Sequence, residues 1–411
     1  MMLNAAKNHT LSLLAATLLA STASIIALPA AAETTEKPAA NVAANKAAKP
    51  APLTQEQMEQ KIAETYADIA YAAYSNAYLS AKEFQAEVEK FLFAPAADRL
   101  GLMRELWLAL RRQYMIAESH RFYDGPMDVF SRNVEIEGPE SRLNGWPIQP
   151  GFLDDGPKSL IAGKRSVTSD ALRDAHRAND EREITTGFHA LEQVLWGVPK
   201  KPGEVGNRTI AAFEGDGHEE KRRREFLVYA TEILAHDILY LQAEWGTTPK
   251  SYRSQFLASP KRAIGKMLTG LATLSGYEIP GRHLGIRSLD GLPPALQSPY
   301  SRTSHADLLQ TAHGIRSILL GEFATVKGTS LLDLIARKDQ KLADALRKQN
   351  DATIAAVQAI PEPMEQTILL KGKNSDGHKK AEIAAVAFVQ QAKLLIEAGK
   401  LLDVPVEVTG D

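Results

Sequence analysis

Thr54-Gln55-Glu56-Gln57-Met58-Glu59-Gln60-Lys61-Ile62-Ala63-Glu64-Thr65-Tyr66-Ala67-Asp68-Ile69-Ala70-Tyr71-Ala72-Ala73 decides how the rest of the chain is read. Met58, Ile62, Tyr66, Ile69 and Ala73 step by threes and fours, the stripe of a helix laid on a core. Thr54-x-x-Gln57 has the form of a capping box, which fixes the start. The helix is predicted to run to about Phe93, because Pro95 cannot continue it. Every periodic stretch that follows keeps the same period. No alternation of apolar and polar residues appears anywhere, so the fold class is all-α.

A second helix is predicted over about 97–121. It places Trp107, Arg111, Tyr114 and Glu118 on one face, at i, i+4, i+7 and i+11. Two charges on a face otherwise patterned for burial either have buried partners or lie at its edge in water. A long Gly/Pro/Asn-rich connection follows over about 123–167, and its aromatic residues argue for an ordered loop. A short helix near 169–178 leads to Gly187-Phe188-His189-Ala190-Leu191-Glu192-Gln193-Val194-Leu195-Trp196-Gly197, an apolar segment between two glycines. A long helix over about 219–245 carries Asp237 beside its buried stripe. Its Arg222-Arg223-Arg224 run reads as a solvated face.

The second half repeats the plan. Helices are expected at about 251–275, 304–321, 336–358 and 379–401, with a Gly/Pro-rich loop at about 276–303. Aligning Gly321 with Gly197 sets His313 on His189 and Arg316 on Glu192, the residue of an internal duplication. The expected organisation is two tandem four-helix-bundle-like domains, 54–248 and 249–405.

Upstream, Lys7 and the apolar run Leu11–Leu28 precede Ala30-Ala31-Ala32, a small-x-small cleavage site. Residues 1–32 are therefore expected to be a cleaved signal peptide. Residues 33–53 form an Ala/Lys/Pro linker expected to be disordered. The mature chain is expected in the periplasm. A formal net charge of -2, with mixed signs along 411 residues, gives no argument for nucleic acid. The absence of cysteine excludes thiolate metal sites and a cysteine nucleophile.

Several chemistries are excluded by motif. His218-Glu219-Glu220-Lys221-Arg222 begins like a zincin helix but has arginine where the second histidine must stand. No nucleophile elbow, phosphate loop or dinucleotide fingerprint is present. What remains is the pair His189 and Glu192, three residues apart on one helical face, the vocabulary of a metal site in a helical bundle. Two ligands do not make a site. Further carboxylates must come from other helices, and Glu118, Glu140 and Asp237 are the candidates, with Arg111, Gly187 and Trp196 in support. His120, His176 and His236 read as structural or exposed. Such a donor set suits a divalent ion, iron before zinc.

Gly187-x-His189-x-x-Glu192 followed by Leu195-Trp196-Gly197 resembles the signature of the imelysin family of exported bacterial proteins. Trp107–Tyr123 with its Glu118-x-x-Arg121-Phe122-Tyr123 ending, Asp124-Gly125-Pro126, Gly138-Pro139-Glu140 through Asn144-Gly145-Trp146-Pro147, Arg223–Trp245 and His305–Gly321 extend the likeness. The resemblance implies paired four-helix bundles. It also implies either metal binding in iron acquisition, with an iron-uptake membrane protein as candidate partner, or a metallopeptidase of the insulin-cleaving type. One departure stands out. Pro294 to Ser301 carries no acidic residue, histidine or cysteine where many relatives do.

Overall fold

The computed structural model describes residues 52–131, 136–285, 296–368, 371 and 374–408. The expected signal peptide and the linker up to residue 51 lie outside the described residues. Helix α1 spans Gln55–Phe93 and opens with the predicted capping box: Gln57 N donates to Thr54 Oγ1 (3.2 Å), and Thr54 N donates to Gln57 Oε1 (2.9 Å). It stops at Ala94, ahead of Pro95. Its buried side is rich in alanine (Ala63, Ala67, Ala70, Ala73, Ala77, Ala81), so neighbouring helices can approach its backbone closely.

Three helices use that opportunity: α2 (Ala97–Ala117) and two that come later in the chain. Helix α2 ends in a 3₁₀ turn, Glu118–His120. The long connection is ordered by a small antiparallel hairpin, β1 (Val129–Ser131) with β2 (Ile136–Glu137), and by the short α3 (Glu140–Asn144). Then come α4 (Ser169–Ala175), α5 (Gly187–Trp196) and α6 (His218–Glu244). Helix α6 packs on α1 and α5. The arginine run at its start is not a solvated face. Arg222 donates to the carbonyls of Leu160 and Ile161, Arg223 clasps Asp154, and Arg224 reaches the carbonyls of Phe213 and Gly215.

The helix expected over 251–275 is two, α7 (Tyr252–Leu257) and α8 (Pro260–Thr273), because Pro260 has no N–H to give and takes the first helical position instead. Helix α8 is the third neighbour of α1. Part of the expected loop is a π-helical segment, Leu274–His283, with Pro280 inside it. Residues 296–303 form an irregular strap into α9 (Ser304–Leu320). A two-residue hairpin, β3 (Glu322–Phe323) and β4 (Val326–Lys327), leads to α10 (Leu331–Lys338) and α11 (Gln340–Gln358). These two are separated by Asp339, whose side chain caps α11 through Leu342 N (3.1 Å). Short α12 (Met364–Thr367) and long α13 (Asp376–Leu402) complete the described chain.

The fold is all-α. The boundary expected at 248/249 falls in the turn between α6 and α7, and buried residues on both sides of it join one continuous apolar cluster, from Ile62 to Val404. Among the described residues no helix is long and apolar enough to cross a membrane.

Candidate functional site

All ten residues of α5 are buried. The helix is held at both ends. At its start, Gly187 has φ of +84°, and a β-carbon there would lie 2.4 Å from the carbonyl oxygens of Arg142 and Leu143. Only glycine tolerates both the conformation and the approach. Trp107 Nε1 donates to Phe188 O (3.1 Å), fastening the first turn to α2. At the end, Arg104 donates twice to Leu195 O (2.7 and 3.2 Å), placing a cation on the negative end of the helix dipole. Trp196 packs edge-on against Trp107 (5.2 Å between centroids) and supports this end.

The pair itself is closed off from solvent. His189 is 1% exposed and Glu192 0%, and His189 Nδ1 lies 3.4 Å from Glu192 Oε2. The other carboxylate oxygen, Oε1, accepts from both the backbone N–H (2.7 Å) and the hydroxyl (2.6 Å) of Ser301 on the strap. Gln193 Nε2 donates to Tyr300 Oη (3.0 Å), so the strap is tied to α5 at two adjacent points. Behind the histidine, its Nε2 lies 3.1 Å from Asn144 Oδ1. That same oxygen accepts from Arg111 Nη1 (2.5 Å). The Trp146 ring covers the site, 6.1 Å from His189 and 5.4 Å from His283.

Burial dominates the electrostatics. It pushes the Glu192 carboxyl up to about 8, with the Ser301 hydrogen bonds pulling the other way. It pushes the His189 imidazole well below its usual range, helped by the positive charge of Arg111. Both shifts favour the uncharged form of the group. Arg111 does not leave a loose cation beside them, since its Nη2 pairs with Asp307 Oδ2 at 3.1 Å, both side chains buried. Asp307 is fixed in turn by Ser298 Oγ (2.6 Å).

The other candidate donors are placed differently. Glu118 is buried and reaches the pair only through Asn144, whose Nδ2 donates to its Oε1 (3.1 Å). Glu118 and Glu140 both bind the guanidinium of Arg121, at 2.8 and 3.0 Å, with Asp128 nearby at 3.6 Å. Burial raises Glu140 and Asp128, and Arg121 pulls them back. Asp237 is clasped by Arg142 (2.9 and 3.2 Å) and approached by Arg173, and that occupies the carboxylate. Among the described residues no third histidine, aspartate or glutamate converges with the pair in a geometry that could hold a metal ion. His120 is buried among Tyr66, Tyr74 and Trp245. His236 is exposed beside Asp237.

The family model for imelysin, grouped as peptidase family M75, matches residues 70–395. The chain belongs to the imelysin family. Two solved structures are similar to this member in fold. One, from Parabacteroides distasonis ATCC 8503 and described as an iron-regulated protein A precursor, has a TM-score of 0.63 at 19% identity over 85% of this chain and 96% of that one. The other, an imelysin-like protein from Psychrobacter arcticum 273-4, has a TM-score of 0.63 at 16% identity over 87% and 98%. No curated protein matches the chain.

Sequence reasoning about this imelysin missed Asn144, Ser301 and Asp307, which lie 45, 109 and 115 residues from the motif histidine or glutamate they serve or neighbour. A partial signal existed for two of them. The buried charge at Arg111 demanded an acceptor, and Asn144 and Asp307 are what answers it.

Proposed function

We propose that this imelysin-family protein is an exported, non-hydrolytic cation binder that takes ferrous iron as cargo between the imidazole of His189 and Oε2 of Glu192. The observation that carries the reading is the separation of the two donors. Two ligands about 2.0–2.1 Å from one ion, at tetrahedral to octahedral angles, stand roughly 3.0–3.4 Å apart. The Nδ1···Oε2 distance is 3.4 Å. The residues fit an ion to that extent and no further, since two protein donors do not close a structural site. An incomplete shell suits an ion that must be passed on, and imidazole plus carboxylate suits iron.

The chain's own groups have defined tasks in this scheme. His189, kept neutral by burial, offers a lone pair. Ser301 occupies Oε1 of Glu192 and leaves Oε2 to face the histidine. Glu192 releases its proton when a cation arrives, so binding is linked to proton release. Peptide hydrolysis is the weaker reading. It needs a general base separate from the ligands and room for a polypeptide, and the motif glutamate would have to serve twice. The strap also closes over the pair. A cleft of about 960 Å³ lies elsewhere, lined among others by Tyr123, Lys266 and Val404. The Ala30-Ala31-Ala32 cleavage site supports export to the periplasm, and a membrane iron permease is the class of partner that would receive the ion.

Anaerobic calorimetric titration with ferrous iron and with zinc tests the proposal on the mature protein, with a peptidase assay on the same sample. Binding of one ion, lost in His189→Ala and in Glu192→Gln, is expected, with no hydrolysis. Metal-dependent peptide cleavage that disappears in Glu192→Gln would replace this reading with the peptidase. Binding unchanged in both variants would end it.

A further inference from the structure

Asn144, the last residue of α3, has three partners at hydrogen-bond distance, and their chemistry leaves its amide one orientation. Arg111 can only donate. Glu118 Oε1 already accepts from Arg121 Nη1. The oxygen of the amide must therefore face Arg111 (2.5 Å) and its nitrogen must face Glu118 (3.1 Å). Turning the amide over would set NH₂ against guanidinium N–H and carbonyl against carboxylate, so the assignment does not depend on how similar the two atoms look. The oxygen so fixed also lies 3.1 Å from His189 Nε2. A carbonyl oxygen cannot donate, so the neutral imidazole must carry its proton on Nε2.

We propose that Asn144 is the positioning residue of the site: it locks His189 as the Nε2–H tautomer and turns the lone pair of Nδ1 toward Glu192. The inference deepens the cation reading above by naming the nitrogen that receives the ion, and for that part it rests on that reading. The ion then lies on the Glu192 side of the ring. Arg111 and Asn144 sit on the opposite edge, with the guanidinium's charge answered by Asp307. The nitrogen not bound to an ion is commonly tied to a carbonyl or carboxylate, which sets both tautomer and ring orientation. Here a side-chain amide performs that task, and a buried arginine and glutamate orient the amide. Glu118 thereby acts on the site at one remove, without binding the ion.

Nitrogen-15 NMR of the metal-free protein, labelled on the histidine rings and recorded at pH 7, reads the tautomer directly through the long-range proton–nitrogen pattern. His189→Gln assigns the signal. The wild type is expected to show Nε2–H alone. Asn144→Leu should move the population toward Nδ1–H. Zinc, added as the diamagnetic probe, should shift Nδ1 and leave the Nε2 proton in place. Its affinity should fall about tenfold or more in Asn144→Leu. A wild-type His189 protonated on Nδ1 overturns the inference even if no variant folds, and so does zinc on Nε2 or an unchanged tautomer in Asn144→Leu. The two proposals fail separately. A flat zinc titration with the Nε2–H tautomer intact removes the cargo reading and leaves the role of Asn144 standing.

Discussion

Helices α5 and α9 align through their terminal glycines, and they have taken opposite courses. Gly197 and Gly321 both end a helix with positive φ, at +75° and +66°. In α5 every side chain is buried, and the motif pair faces its neighbour inside the protein. In α9 the buried side runs through Ser304, Asp307, Leu308, Thr311, Ala312 and Ile315, leaving the aligned His313 and Arg316 outside it. His313 is half-buried, its imidazole lowered by burial and by Arg316, and Arg316 pairs on the surface with Asp351. The spacing of two residues places them on one face of a helix, while the packing around the helix decides whether that face becomes a chemical site. Helix α9 still serves the site, but with Asp307 and from its other side.

The largest expected effect separates the two histidines. His189→Ala should lower divalent-cation affinity by roughly a hundredfold or more, because it removes one of two protein donors. His313→Ala should leave affinity unchanged and cost roughly 1 kcal/mol of stability. Competitive titration against a chelator measures the first and chemical denaturation the second.

The arginines give the next contrast. Arg111→Leu leaves Asp307 buried without its countercharge and should destabilise by about 3–5 kcal/mol. Arg316→Leu removes an exposed pair and should cost about 0–1 kcal/mol. Urea midpoints of the two variants, measured side by side, give the comparison. Equal shifts would mean that the Arg111–Asp307 pair is not the closed interaction described here.

The glycines differ for a related reason. Gly187→Ala drives a β-carbon into two backbone carbonyls that cannot yield cheaply, and should cost on the order of 2–4 kcal/mol. At Gly321 the nearest atom to an added β-carbon is 3.0 Å away in a left-handed turn. Gly321→Ala should cost about 1 kcal/mol. Thermal unfolding distinguishes them.

The smallest effect is one of pH. Glu192 carries a carboxyl raised to about 8 in the folded protein against 4.5 in the unfolded chain. Between those values the folded state holds a proton that the unfolded state has lost. Its contribution is complete below 4.5 and declines as pH rises through 8. His120, lowered to about 3, acts in the opposite sense, its contribution being lost as pH falls from 6.5. Above pH 6.5 the glutamate's slope therefore stands clear of that of His120. Metal-free wild type should lose stability from pH 6.5 to 8.5, by on the order of 1–2 kcal/mol, and Glu192→Gln should show a flatter profile.

The comparison also shows what could be read from the chain. The period of Met58, Ile62, Tyr66, Ile69 and Ala73 is local information and places α1 correctly, cap included. The shared face of Trp107, Arg111, Tyr114 and Glu118 left open whether its two charges are buried or lie at an edge in water, and the structure buries both. Asn144 was visible only as a turn residue before Gly145. Ser301 belonged to a segment notable for lacking acidic residues, and its hydroxyl now binds the motif carboxylate. Asp237 looked like a donor because it lies beside a buried stripe, and Arg142 occupies it instead. Partners brought from 45 or more residues away leave no spacing to read, because they are selected by packing between elements.

The claim that the first half alone holds a cation, at His189 and Glu192, is tested most directly by diffraction. Crystals of the protein loaded with ferrous iron or zinc would be measured at and below the metal's absorption edge. One anomalous peak is expected within bonding distance of His189 Nδ1 and Glu192 Oε2, and none near His313. A peak beside His313, or at the Arg121 carboxylates with the motif pair left empty, would contradict it.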